Sequence, residues 1–190
     1  MAMIKQVKSS SLAIQMLEKI VVNAGIGRLA TLPNFNDKVL PEITKDFSLI
    51  TGQKPSWRPA KKSISGFKIR EGLIVGLKST LRSRRMADFL EKIIHIVLPR
   101  IRDFRGLSEH NIDGRGNLSF GIKENVAFTE ISQDVAKMNF GVEITLVPKN
   151  LRNKAQAVDF YRELGIPFGK EARSTTKKQK SKAGIKNGKI

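Results

Sequence analysis

Only one stretch of this sequence has the residue types and spacing of a cofactor motif. Gly25-Ile26-Gly27-Arg28-Leu29-Ala30 follows a β-branched run and fits the pattern G-x-G-x-x-A. In that pattern glycines let the backbone approach a dinucleotide pyrophosphate held at a helix N-terminus. The chemistry requires the motif to open a helix, yet Pro33 follows three residues after Ala30. No second parallel strand then ends in an acid at the required distance, so Gly25–Ala30 reads as a turn. A nucleotide-dependent enzyme using it is kept as an alternative reading. No Gly-rich loop ends in Gly-Lys-Ser/Thr, and no serine stands in a nucleophile motif. Cysteine is absent, and the only histidines, His95 and His110, lack ligand spacing, so no metal is expected. His95 lies beside an apolar helical stripe and reads as an ordinary helix residue. Asp103 and Asp113 sit among arginines, which favours ion pairs over the raised pKa of a catalytic acid. The expectation is a protein with no catalytic residue, no cofactor and no small-molecule substrate.

What remains is charge. The sequence holds 35 Lys and Arg against 17 Asp and Glu, a formal +18. Self-repulsion at that level costs stability and is tolerated when the partner is a polyanion. From Lys54 to Arg70 the chain carries Lys54, Arg58, Lys61, Lys62, Lys68 and Arg70 with no acid before Glu71. Trp57, Phe67 and Phe104, flanked by basic residues, are candidates to stack on exposed bases, although core packing is the simpler reading of each alone. Ser63, Ser65 and Gly66 would let the backbone come close to a phosphate. After Phe168 the chain turns to Lys170, Arg173, Lys177, Lys178, Lys180, Lys182, Lys186 and Lys189 against the single acid Glu171. This reads as a basic tail, disordered alone and draping on a polyanion. A DNA-compacting protein driven by that tail is a further alternative. No apolar run reaches the ~20 residues of a membrane helix. The N-terminus lacks a secretory signal's apolar region, so the protein is expected to stay in the cytoplasm.

The elements that must carry these residues follow from periodicity. Glu18–Asn23 reads as a strand closed by Gly25 and Gly27. Val39, Ile43, Phe47 and Ile50 mark one helical face, with Pro41 in the first turn and Gly52 as the left-handed stop. Lys54–Arg70, with two prolines and a glycine, reads as an extended projecting loop. Leu73–Arg82 alternates: Leu73, Val75, Leu77, Ser79 and Leu81 face a core, and Lys78, Thr80 and Arg82 face the other way. Met86, Phe89, Leu90, Ile93, Ile94 and Val97 make a helical stripe ended by Pro99. Arg100–Gly116 is loop-like. Leu118, Phe120 and Ile122, then Val142, Ile144 and Leu146, mark two more strands. Asn153 caps a last helix carrying Val158, Tyr161 and Leu164, stopped by Gly165 and Pro167. The order β-α-loop-β-α-β-β-α predicts an α+β fold: a mostly antiparallel sheet, helices packed on one face, and the other face open. Two regions are expected, an α+β body at 1–168 and the basic tail at 169–190.

These residues also form a recognisable series. Val21-Val22-Asn23-Ala24-Gly25-Ile26-Gly27, Ile50-Thr51-Gly52-Gln53-Lys54-Pro55 and Ala60-Lys61-Lys62-Ser63-Ile64-Ser65-Gly66-Phe67-Lys68-Ile69-Arg70-Glu71-Gly72 come in order. Leu98-Pro99-Arg100-Ile101-Arg102-Asp103-Phe104-Arg105-Gly106-Leu107-Ser108, Asp113-Gly114-Arg115-Gly116-Asn117 and Leu164-Gly165-Ile166-Pro167-Phe168 extend it. From about Glu18 to Phe168 the chain resembles the ribosomal protein L5 family of bacterial type, large-subunit proteins that bind 5S ribosomal RNA. The resemblance implies that Asn23, Gln53 and Thr80 grip 5S RNA on the open sheet face, where the alternation already places Thr80 with Lys78 and Arg82. It implies a second contact, between the loop residues Lys61, Lys62, Ser63, Gly66, Phe67, Lys68 and Arg70 and the transfer RNA in the peptidyl site. A third, around Ser108, Asp113 and Arg115, would bridge to a protein of the small-subunit head. Partners so implied are 5S RNA, large-subunit RNA, peptidyl-site transfer RNA and that head protein, with no membrane. Departures from the family are a shorter segment before Glu18, a longer stretch between Gly27 and Ile50, Ser79 and Ser83 beside Thr80, Thr129 in place of a usual proline, and the Lys-rich tail.

Overall fold

In the structure, a computed structural model, residues 16–131, 138–149, 151 and 153–169 are described. The expected basic tail lies, from Lys170 onward, outside these residues. The strand that alternation places first runs over Leu17–Gly25 (β1). Its Leu17, Ile20, Val22 and Ala24 are buried, and Lys19, Val21 and Asn23 point away from them. Gly25–Ala30 leads into a single 3-10 turn, Leu29–Thr31. It opens no long helix, and every strand pair in the sheet is antiparallel. A dinucleotide cradle needs a parallel strand and a full helix, so the turn reading holds.

A π turn at Phe35–Val39 runs into helix α1 (Leu40–Thr51). Ile43, Phe47 and Ile50 are fully buried along it. Pro41 lies in its first turn and Gly52 stops it at φ 67°, where only the absence of a Cβ avoids strain. Beyond Gly52 the sequence expectation of an unbroken loop is corrected: Ser56–Pro59 forms an edge strand, β2, against β3 (Ile74–Leu81). All four β2 residues are exposed, so no alternation betrays the strand. Pro55 just before it and Pro59 at its end are tolerated because an edge strand has one side free of the ladder.

Helix α2 (Ser83–Lys92) continues through a π turn, Ile93–Val97, into a last turn, Leu98–Arg100. The expectation that Pro99 ends this helix is corrected: the helix passes through it and stops at Arg100. In a regular α-turn the ring would collide with the carbonyl four residues back, and the wider π turn just before it relieves that crowding. Strands β4 (Leu118–Ile122) and β5 (Val142–Pro148) and helix α3 (Lys154–Glu163) complete the fold. Asn153 caps α3, its Oδ1 accepting from the Ala155 amide at 3.1 Å.

The five strands lie in the order β2-β3-β1-β5-β4. All three helices bury their apolar faces in a single core with the inward strand residues Leu77, Leu81, Phe120, Ile122, Ile144 and Leu146. Among the described residues no helix packs on the opposite face. The fold is therefore the α+β layer expected, with one open side.

Candidate nucleic-acid interface

Residues directly opposite one another in paired strands share a face, so register defines what the open side presents. One row crosses all five strands: Ser56, Lys78, Asn23, Glu143 and Gly121 are successive partners. The next row is Thr80, Val21, Thr145 and Ser119, in which the Ser119 and Thr145 hydroxyls are 3.0 Å apart. Asn23, Lys78 and Thr80 are thus brought together on adjacent strands, half-buried at the level of the sheet and open outward.

Gln53 approaches β3 from the loop after α1. Its Nε2 donates to the Thr80 carbonyl at 3.2 Å, and its Oε1 accepts from Arg85 at 3.3 Å. The amide is therefore fixed in orientation and ties the loop to β3, while keeping one N–H and one lone pair free. Arg82, just past the end of β3, is exposed and donates to the Glu18 carbonyl and carboxylate, both at 3.4 Å. Hydrogen bonding and charge from Lys19, and more weakly from Arg82, hold the Glu18 carboxyl below its ordinary range despite the opposing effect of burial. Arg82 is partly engaged there and Lys78 is not.

The face is electrically lopsided. The β2–β3–β1 half carries Arg58, Lys78 and Lys19, whereas the β5–β4 half carries Glu143, Thr145 and Ser119 and no cation before Lys123. Sequence reasoning passed over Glu143. The signal was present, since Val142, Ile144 and Leu146 point inward and so put Glu143 outward. Some basic residues are consumed by the fold. Lys92 donates to the Ile50 carbonyl at 2.6 Å and to Glu130 at 2.7 Å, over the Phe89 ring, and Arg162 pairs with Glu109 at 2.7 Å.

The second predicted cluster lies on the hairpin arm joining β2 to β3. Ala60 and Leu73 close its base. Ile64 and Ile69 exchange amide hydrogen bonds of 2.8 and 3.1 Å at its neck. Ser65–Phe67 forms a 3-10 tip, with Lys68 left-handed at φ 54°. Lys61, Lys62, Ser63, Gly66, Phe67, Lys68 and Arg70 are all exposed. Ser63 also serves the loop itself, its Oγ accepting from the Glu71 amide at 2.9 Å. Phe67 is 70% exposed and Trp57 50%, so core packing, the simpler reading of each, is corrected. Phe104 is half-buried against the core, as that reading had it. Phe67 lies at the tip of the arm beyond the sheet, and Trp57 lies on the edge strand, where its ring is only partly covered.

The third cluster is built around a turn. Asp113 Oδ1 accepts from the Arg115 and Asn117 amides, and Oδ2 from Asn117 Nδ2, all at 2.8 Å. Burial alone would raise this carboxyl, but the hydrogen bonds from Asn117 and Arg115 outweigh it and hold it below its ordinary value. The charge of the neighbouring Arg115 adds to these bonds in favouring the ionised carboxylate, as expected of an acid among arginines. Ser108 accepts from the His110 amide at 3.2 Å. Ser108, Asp113 and Arg115 are all exposed. The turn is anchored from below by Tyr161, fully buried, whose hydroxyl lies 2.8 Å from the Gly116 carbonyl and 3.2 Å from that of Leu146. Among the described residues no three His, Cys, Asp or Glu side chains gather to hold a metal ion, and no helix is long and apolar enough to cross a membrane.

Two family profiles match the chain: Ribosomal protein L5 over residues 12–70, and the C-terminal profile of the same ribosomal family over residues 74–168. Curated relatives agree. The chain is 45% identical over 161 residues to the large ribosomal subunit protein uL5 of Spiroplasma kunkelii, covering 85% of this chain and 87% of that one. It is 44% identical over 162 residues to that of Limosilactobacillus fermentum, covering 85% and 87%. It is 47% identical over 154 residues to that of Helicobacter pylori, covering 81% and 82%.

Proposed function

The chain belongs to the ribosomal protein L5 family, and on that premise we propose that it is a structural, non-catalytic constituent of the large ribosomal subunit that holds 5S RNA on its open sheet face. The observation that carries this reading is the register across β2, β3 and β1, which collects Asn23, Lys78 and Thr80 on a face that no described helix covers. Lys78 supplies phosphate neutralisation, while Asn23, Gln53 and Thr80 supply donors and acceptors for sugar and base edges. Arg82, shared with Glu18, borders the same surface.

The arm from Lys61 to Arg70 extends away from this face with its basic residues and Phe67 exposed. It suits a second RNA, which we assign as transfer RNA in the peptidyl site. The rigid turn at Asp113–Asn117, with Ser108 nearby, is the surface assigned to the small-subunit head protein. Binding of 5S RNA by the full chain tests the first assignment. About six to ten phosphate contacts lose ~10³–10⁵ in affinity between 50 and 200 mM salt. A salt-independent affinity, or equal affinity for duplex DNA that needs residues 170–190, refutes it.

A further inference from the structure

The β5–β4 half of the open face, whose cation is Lys123, contains a depression of its own. Asn23, Glu143 and Lys123 are the polar side chains that line it, and three glycines, Gly25, Gly121 and Gly141, line it beside them. Gly121 is Glu143's register partner, and a Cβ built on Gly121 or Gly25 meets nothing within 4 Å. Glu143 is exposed, and among the described residues its carboxylate has no ion-pair partner. An acid left bare on a surface facing RNA is costly through repulsion unless the RNA presents donors to it.

We propose that this depression is a subsite for one unstacked guanine nucleotide, with Glu143 the residue that specifies the base. This rests on the reading that the open face binds RNA. An ionised carboxylate only accepts hydrogen bonds. Guanine is the base whose Watson–Crick edge offers two adjacent donors, N1–H and the N2 amine, and Glu143 receives both. Asn23, directly across the strand pair, donates its amide N–H to O6. Adenine and cytosine each present one amine beside a ring-nitrogen acceptor, and uracil flanks its single N3–H with carbonyl acceptors, so none offers two adjacent donors. The glycine-lined floor admits the planar ring. Lys123 takes the nucleotide's phosphate, and the strand continues into the neighbouring depression lined by Arg100 and Arg102, which shares Lys123 as its wall.

The sign of the effect makes this testable with the full chain and 5S RNA in filter binding. If Glu143 is a ligand, Glu143→Gln weakens binding about tenfold or more, because the carboxamide loses one acceptor and sets an N–H against a guanine N–H. If Glu143 is merely a repelling charge, the same change leaves affinity equal or tighter, and the subsite is overturned. Gly121→Leu should fill the depression and weaken binding comparably, with thermal unfolding unchanged. Lys123→Gln should lower the salt slope by about 0.7–0.9. In 5S RNAs carrying inosine, which lacks the N2 amine, at one unpaired guanosine at a time, one position should weaken the native chain several-fold and leave Glu143→Gln indifferent. No such position also overturns the subsite. Should Lys78→Gln and Thr80→Ala weaken binding while Glu143→Gln does not, the RNA face stands and only the guanine assignment falls. If the native chain fails to bind 5S RNA at all, the function itself fails first.

Discussion

Replacing Asp113 separates a structural carboxylate from a surface one. Three hydrogen bonds of 2.8 Å converge on it, two from main-chain amides and one from Asn117. Bonds to an ionised acceptor contribute about 1.5–3 kcal/mol each when buried, but Asp113 is exposed, and water replaces much of what is lost. A net cost of about 1–2 kcal/mol for Asp113→Ala follows, comparable with loss of a helix cap. For a body of this size that lowers Tm by about 3–6 °C. Asp113→Asn keeps one accepting oxygen but turns an N–H toward Asn117, so its loss is intermediate. The pH dependence has a definite sign. The folded carboxyl lies below its ordinary 3.8, so its contribution is present above that value and is lost as pH falls through the folded pKa. The stability gap between native chain and Asp113→Ala, measured by urea unfolding, should be constant from pH 7 down to about 5 and close below about 4. A gap that persists unchanged at pH 3, or no gap at neutral pH, refutes the argument.

Other consequences can be checked alongside. Tyr161→Phe removes the donor from the Gly116 and Leu146 carbonyls in a fully buried site and should cost about 1–2 kcal/mol in chemical denaturation. Ser79 is buried, and among the described residues its hydroxyl has no partner, so Ser79→Ala should leave thermal stability unchanged or raise it by up to about 1 kcal/mol. Asn23→Ala or Thr80→Ala should weaken 5S RNA binding, while Lys61→Ala with Lys62→Ala should leave it within about threefold beyond the loss of general charge; the reverse pattern in filter binding would exchange the two assigned surfaces.

Much of this was legible in the residues. Alternation from Leu73 to Arg82 placed Lys78 and Thr80 outward because one face of that strand is buried and the other is not. The spacing of Val39, Ile43, Phe47 and Ile50 is preserved from the π turn into α1 because each side chain reaches the core. Strand β2 was illegible for the opposite reason: with all four residues exposed, hydrophobic burial leaves no trace in its sequence. The helix passing through Pro99 was hidden because the π turn that relieves it is set by packing of Ile93 and Val97, not by local propensity. Glu143 could have been found from its neighbours, but its significance depends on Gly121 across the strand pair, and register between distant strands is not written in either segment alone.

The central position of β1 governs how the chain can be made. The strand emerges first from its own ribosome, yet both hydrogen-bonding neighbours belong to the segment matched by the second family profile, one beginning at Ile74 and the other at Val142. Until β5 has been synthesised, one edge of β1 lacks its native hydrogen-bonding partner. The edge of β1 that faces β5 thus stays open over that interval, and pairing across such separations is slow. A truncated product ending before Val142 leaves that edge of β1 unpaired and should aggregate or be degraded rather than accumulate.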